Sequence, residues 1–178
     1  MLAAAVELVE AVDIRDGRGE NERELMQKRT VRYQDAEGSF ELALPADWQT
    51  ENDGEGGLLL YAGEGNGLLH LMPFGREPED EVDAADELYA FLAEHEIELQ
   101  EDEVEDIDLA GGEGALALCE YEEEEDGEEV YWLVGVAAGI GQIIFASYSC
   151  PSGQEEKESE VVREILSSLV FVLERPAD

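Results

Sequence analysis

The sequence is poor in basic residues. It holds 10 Lys and Arg against 47 Asp and Glu, a formal net charge of -37 over 178 residues, and its lysines are Lys28 and Lys157. A surface this negative repels phosphate backbones and anionic lipid head groups. We therefore expect no nucleic-acid partner and no membrane-surface partner.

Long apolar runs are also missing. No stretch approaches the roughly 18 apolar residues that a membrane-spanning helix needs. The N-terminal stretch MLAAAVELVEAV carries Glu7 and Glu10 and has no basic residue ahead of its apolar part, so it does not have the pattern of a secretory signal peptide. These features predict a cytoplasmic protein.

Cysteine is limited to Cys119 and Cys150. Both lie in predicted strands that flank a third strand, and two strand spacings of about 4.8 Å exceed the roughly 7 Å limit between the Cα atoms of a disulfide. Neither has a basic neighbour in sequence that would stabilise a thiolate. We expect two buried, reduced thiols without a nucleophilic role.

Catalytic and metal-binding signatures are absent as well. His70, in a predicted strand, and His95, at the end of a predicted helix, have no spacing that defines a metal site. Serines such as Ser147 and Ser149 have no evident base, and no G-x-S-x-G phrase occurs. The sequence therefore predicts no catalytic residue, no metal, no cofactor and no enzymatic activity.

Acidic residues, by contrast, are everywhere. Disorder is one explanation for such a charge, but hydrophobic residues make up 44% of the chain and are arranged in periodic runs. Adaptation to concentrated salt is the other, because the Debye length falls to about 3 Å at 1 M salt and long-range repulsion disappears. We predict a protein from a salt-accumulating prokaryotic cytoplasm.

The stretch from Tyr131 to Cys150 contains no charged residue. Gly139 and Gly141 interrupt it and favour a tight turn between two strands. Both faces of each strand are apolar, which is typical of strands that are covered on both sides. This hairpin is therefore predicted at the centre of a sheet, with Trp132 packed in the core.

Periodicity outlines the rest of the chain. It predicts an amphipathic helix at residues 2–12, one at 84–95 capped by Asp83, and one after a Ser152/Glu155 capping box, with strands at 30–33, 39–44, 58–61, 68–74, 104–109 and 115–121. The run Val170–Leu173 could finish the last helix or add a strand. We divide the chain into residues 1–29 (helix and connection), one domain at 30–173 and a tail at 174–178.

Several phrases resemble the PsbP/Mog-like fold. They are Gly38-Ser39-Phe40 followed by Leu44-Pro45 and Asp47-Trp48, the strand ending in Tyr148-Ser149-Cys150-Pro151, and Ser167-Ser168-Leu169-Val170-Phe171. The resemblance covers about residues 30–171. It implies an α+β sandwich shared by PsbP of photosystem II, the Ran-binding factor Mog and bacterial DcrB-like proteins, in which understood members bind or chaperone proteins.

We accordingly predict an α+β domain with an antiparallel sheet of six to eight strands and two principal helices. The predicted function is a non-catalytic protein-binding or assembly module, with Trp48, Tyr61 and His70 as candidate partner-binding residues. The alternative is a small-ligand-binding protein or an enzyme whose site assembles only in three dimensions. A concave pocket lined by His70 or His95, carboxylates and an aromatic would favour that alternative, and a flat aromatic patch would favour the module.

Overall fold

The computed structural model describes residues 29–172. The predicted N-terminal helix at 2–12, its connection up to residue 28 and the tail at 174–178 lie outside the described residues. Within residues 29–172, no helix is long and apolar enough to cross a membrane.

Ten strands and two α-helices make up the described chain. The strands are β1 (Thr30–Gln34), β2 (Phe40–Pro45), β3 (Trp48–Asn52), β4 (Leu58–Ala62), β5 (Leu68–Gly75), β6 (Glu105–Asp108), β7 (Ala115–Glu125), β8 (Glu128–Gly139), β9 (Gln142–Pro151) and β10 (Val170–Phe171). The helices are α1 (Ala84–Glu94) and α2 (Ser159–Ser167), and two short 3₁₀ turns lie at Glu101–Glu103 and Glu155–Lys157.

The strands form two antiparallel sheets. The larger has seven strands in the order β3-β4-β5-β9-β8-β7-β6, and the smaller has three in the order β1-β2-β10. The seven-stranded sheet and the two helices confirm the predicted α+β class. The second sheet was not predicted, and Val170 and Phe171 form its edge strand instead of ending the helix.

The neutral hairpin lies where it was predicted. Strands β8 and β9 are hydrogen-bonded to each other; β9 is the middle strand of the large sheet and β8 is its neighbour. Gly141 supplies the positive φ of 74° that their tight turn requires. The acidic hairpin between β7 and β8 turns at Asp126 and Gly127, which both have positive φ, as a type I′ turn needs.

The main core lies between the two sheets and α2. Leucines and isoleucines from one face of the large sheet meet apolar side chains of β2 and of α2; the fully buried members include Phe40, Leu42, Leu44, Leu60, Leu71, Leu133, Ile144 and Leu166. Each fully buried apolar side chain of this size contributes about 1.5–3 kcal/mol. This cluster therefore fixes the small sheet and α2 on one side of the large sheet.

Helix α1 covers part of the opposite face. The Asp83 side chain accepts a hydrogen bond of 3.0 Å from the Asp86 backbone N–H, which confirms the predicted N-cap. Leu88 and Leu92 are buried against β7 and β8 together with Ala117, Val134 and Val136; the chain is thus a three-layer sandwich.

The start of α2 differs from the prediction. Ser152 and Glu155 do not form a capping box, because the Ser152 hydroxyl bonds Glu122 and the Glu155 carboxylate accepts from the Gly153 backbone N–H. A 3₁₀ turn intervenes, and the helix begins at Ser159 after Glu158. The predicted buried stripe is confirmed, since Val162, Ile165 and Leu166 are buried.

An aromatic groove beside helix α1

Helix α1 leaves one end of its sheet face uncovered by any element of residues 29–172. Under the helix, Ala117, Val136 and Ile143 are fully buried. Towards the β7–β8 hairpin the same face continues with Tyr121 and Trp132, which are only partly buried. The face therefore changes from core to surface along β7 and β8.

A concave cavity of about 360 Å³ opens at this boundary. We call it the aromatic groove; its defining residues are Met72, Phe91, His95, Tyr121, Trp132 and Phe145. The exposed carboxylates of Glu123 and Glu125 line its rim. Strands β5 and β9, the end of α1 and the acidic β7–β8 hairpin thus contribute to one depression.

Aromatic contacts hold the groove walls in place. The rings of Tyr121 and Trp132, on neighbouring strands, have centroids 6.5 Å apart and planes that differ by 17°. Phe91 of α1 packs on Phe145 with centroids 5.9 Å apart and on His95 with centroids 4.2 Å apart. The His95 Nδ1–H donates to the Phe91 carbonyl at 2.9 Å, which orients the imidazole at the end of the helix.

Trp132 carries an unsatisfied donor. Its indole Nε1 is buried and has no hydrogen-bond acceptor among the described residues. A buried N–H without an acceptor costs about 1–3 kcal/mol, so such groups are rare in folded proteins. A bound molecule removes this cost only if the indole turns so that Nε1 reaches an acceptor in the groove.

The groove also extends sideways. A more open depression of about 700 Å³ shares Trp132 and Glu125 with it and is lined further on by Tyr61 and Leu68. Leu68 is 41% exposed, an unusual fraction for a leucine within a strand of this sheet. Together the two depressions form an elongated concave surface with Trp132 between them.

The electrostatic environment of the groove is negative. Burial, followed by the charge of Glu123, raises the pKa of Tyr121 to about 12. The register places Glu125 directly opposite Glu128 across the hairpin, and like charges in that position repel. The aromatic surface is therefore bordered by carboxylates.

The predicted partner-binding residues do not all share one surface. Tyr61 and His70 point to the same face as the groove, as the pairing of β4 with β5 requires, and Tyr61 lines the adjoining depression. Trp48 lies on the other face, where it packs against the main core. The structure thus brings together two of the three.

Trp132 was predicted in the core, and this interpretation is half right. It packs against the apolar cluster under α1, yet it is only partly buried and lines both depressions. The alternation of Trp132 with Val134 and Val136 could not show where the covering helix stops. Tyr121, Phe91 and Phe145 were missed as site residues for the same reason.

His70 is hydrogen-bonded to a carboxylate. Its Nε2 lies 2.8 Å from Asp53 Oδ2, and Asp53 also accepts from the backbone N–H groups of Glu55 and Gly57. The strand register places Ser147 opposite His70, and no hydrogen bond joins the two side chains within residues 29–172. The expectation that this serine has no base stays a prediction.

Another cavity, of about 720 Å³, lies at the other end of the sandwich among strand-connecting turns. Three of its polar residues already bond each other: Asp35 accepts from the Ser39 hydroxyl and the Phe40 backbone N–H, and the Ser39 hydroxyl accepts from Gln142. Such satisfied groups offer little to a ligand, and we therefore favour the aromatic groove.

The candidate metal ligands and the two thiols were also located in the structure. Among the described residues, no group of three or more His, Cys, Asp or Glu side chains could hold a metal ion. Cys119 and Cys150 are free, buried thiols on β7 and β9, with β8 between them as predicted. Burial raises the pKa of the Cys119 thiol to about 12 and also raises that of Cys150.

Several solved structures have a similar architecture. A protein from Bacteroides thetaiotaomicron has a TM-score of 0.59 and 20% identity, over 80% of this chain and 48% of that one. This chain therefore spans about half the length of that relative. The Ran-binding protein Mog1p of Saccharomyces cerevisiae has a TM-score of 0.51 and 10% identity, over 80% of this chain and 95% of Mog1p.

The chain has the PsbP/Mog-like fold. The solution structure of cyanobacterial PsbP from Synechocystis is also similar, with a TM-score of 0.47 and 17% identity over 79% of this chain and 91% of that one. No protein-family model matches the sequence, and none of the curated proteins does. At these identities the PsbP/Mog-like neighbours establish architecture alone.

Proposed function

We propose that this protein is a non-catalytic binding or assembly module that holds a segment of a partner protein in the aromatic groove. The observation that carries the proposal is the partly buried, unpaired Trp132 between two connected depressions. Aromatic side chains are enriched in recognition surfaces, where they supply large contact areas and a polar tip.

The shape of the surface supports a chain-like ligand. The groove and the adjoining depression run from His95 past Trp132 to Leu68, and an extended peptide can fill such a surface residue by residue. Mog1p, a protein of the same fold, is described as Ran-binding, which is in keeping with a protein partner. We place this activity in the cytoplasm of a salt-adapted prokaryote.

A small cationic ligand is the second candidate. The groove is concave and brings His95, two carboxylates and aromatic rings together, which is the arrangement that favours the ligand-binding alternative. Its volume of about 360 Å³ suits a compact molecule. The adjoining depression is what makes us prefer a peptide segment.

A random-peptide display selection in 2 M KCl tests the proposal. We expect peptides that bind the wild-type protein but not the Tyr121→Ser variant, and that protect β7 and β8 from hydrogen exchange. Ile140→Ser is the matched control, because it removes an exposed apolar side chain at the far end of β8.

Three outcomes decide the matter. Peptides retained equally by Tyr121→Ser, or no retained peptide at all, would overturn the proposed function. A small molecule that copurifies with the wild type, and not with Tyr121→Ser, in native mass spectrometry would favour the second candidate.

A further inference from the structure

The carboxylates around the groove have no cation in the described part of the chain. Glu123, Glu125 and Glu128 project to the same face as Tyr121 and Trp132, because side chains two residues apart in a strand share a face. No ion pair involving these three glutamates forms within residues 29–172. Arg163 of α2 pairs with Glu105 and Glu120 on the opposite face of the sheet.

This arrangement is unfavourable without a partner. Glu125 and Glu128 are directly opposed across the hairpin, and opposed like charges destabilise a strand pair. The negative charge that raises the pKa of Tyr121 acts at the same place. A cation at the rim would relieve the repulsion.

The rings of Tyr121 and Trp132 favour a planar cation. The rings of Tyr121 and Trp132 lie within 17° of parallel, and they line the same depression as Glu123 and Glu125. A guanidinium group is planar and weakly hydrated, stacks on aromatic faces, and binds carboxylates through two parallel N–H groups. An ammonium group is not planar and cannot bind a carboxylate through two parallel N–H groups.

The unpaired indole N–H of Trp132 indicates a second property of the ligand. Trp132 Nε1–H needs an acceptor, and a peptide carbonyl is the commonest acceptor that a protein partner presents. The guanidinium group itself carries only donors and cannot fill this role. The ligand must therefore also bring an acceptor, which a peptide segment supplies through its backbone carbonyl oxygens.

We propose that the aromatic groove recognises an arginine side chain of a partner segment. The guanidinium stacks on the aromatic pair of Tyr121 and Trp132 and donates to Glu123 and Glu125, and the indole turns towards the groove so that a backbone carbonyl of the same segment accepts from Trp132 Nε1. This inference rests on the proposed function, since it names the chemistry of the segment that the groove holds.

The test uses the peptides recovered by the display selection. A Trp48→Phe background leaves Trp132 as the single tryptophan, so that its fluorescence reports on the groove directly. Each peptide is compared with its arginine→citrulline form, which keeps the shape and loses the charge, and with its arginine→lysine form. We expect at least tenfold weaker binding with citrulline and several-fold weaker binding with lysine.

Matched variants locate the effect. Glu123→Gln/Glu125→Gln should weaken the arginine peptide about tenfold and abolish its advantage over the citrulline peptide. Glu124→Gln/Glu129→Gln makes the same charge change on the other face of the hairpin and should alter the affinity less than about twofold. If the arginine→citrulline change and the glutamate changes affect the binding free energy non-additively, the guanidinium and these carboxylates interact. A general charge effect would give additive changes.

The possible results separate the two proposals. Groove-dependent peptides without arginine, or equal binding of the arginine and citrulline forms, would overturn this inference and leave the proposed function standing. Equal binding of the lysine form would overturn the assignment to a guanidinium. A selection without any groove-dependent peptide would overturn both.

Discussion

The Tyr148 hydroxyl donates a 2.7 Å hydrogen bond to the Glu158 carboxylate inside the protein. Tyr148 is fully buried, and Glu158, at 8% exposure, is the only buried charged side chain in the described chain. Burial, and then the bond to Glu158, raises the pKa of Tyr148 above its usual value, so this tyrosine stays a donor. The bond ties the central strand β9 to the residue before α2.

Tyr148→Phe should therefore lower the free energy of unfolding by about 1–3 kcal/mol, because the Glu158 carboxylate stays buried and loses its donor. Urea unfolding in 2 M KCl measures the change. Tyr61→Phe is the control: its hydroxyl lies 3.4 Å from Glu51 at the surface, and its loss should cost less than about 0.5 kcal/mol. Equal costs for the two variants would show that the buried pair contributes nothing special.

The central hairpin could be predicted because its signal is local. Residues 131–150 contain no charge, alternate without a polar face, and break only at the two glycines, so both strands and their turn follow from the sequence. Helix α1 was equally evident, since Asp83, Leu88 and Leu92 give a cap and an apolar stripe.

Strand β3 could not be predicted. Its residues, Trp48–Asn52, are mostly exposed and polar, so no alternation marks them. An edge strand of this kind takes its structure from the ladder of its neighbour β4. The split into two sheets was hidden for a similar reason, since it depends on which strands pair after the chain has collapsed.

The aromatic groove was hidden for another reason. Its residues come from α1, β5, β7, β8 and β9, which are distant in sequence and meet only through the strand register. Alternation shows that Trp132 shares a face with Val134, but the length of α1 and its position on the sheet decide which of them stays accessible.

The two thiols should be inert in the folded protein. With a pKa of about 12, Cys119 is a thiolate to the extent of only about one part in 10⁴ at pH 8, and burial also raises the pKa of Cys150. An aromatic disulfide reagent such as dithionitrobenzoate should titrate neither thiol in the native state and both in denaturant. Rapid labelling of the native protein would contradict the packing around β7 and β9.

Asp53 makes stability depend on pH in acid. The backbone N–H of Glu55, and then His70, lowers the pKa of the Asp53 carboxyl below its ordinary value of 3.8. Because the folded pKa is the lower one, the stabilisation is complete above about pH 4 and is lost as the pH falls through the folded pKa. Asp53→Asn should thus be less stable than wild type at pH 6.

That difference should shrink as the pH falls below 3.8. Unfolding midpoints in urea between pH 6 and pH 3 measure it. Asp47→Asn, at a turn position whose carboxylate has no hydrogen-bond partner within residues 29–172, serves as the control and should show a small, flat difference. A penalty for Asp53→Asn that grows in acid would reverse the sign of this linkage.

Salt dependence tests the origin of the acidic composition, through the opposed glutamates Glu124 and Glu129 of the β7–β8 hairpin. Long-range repulsion within a chain of net charge -37 should make the unfolding midpoint rise between 0.1 and 2 M KCl, because the Debye length shortens from about 10 Å to less than about 3 Å.

Glu129→Lys turns one repulsion into an attraction and should stabilise the protein by about 0.2–1 kcal/mol at the lower salt concentration and by less at the higher. Glu129→Gln should fall between the two. A midpoint that does not rise with salt would contradict the salt-adapted origin, and an equal gain from Glu129→Lys at both concentrations would mean that packing, not charge, is responsible.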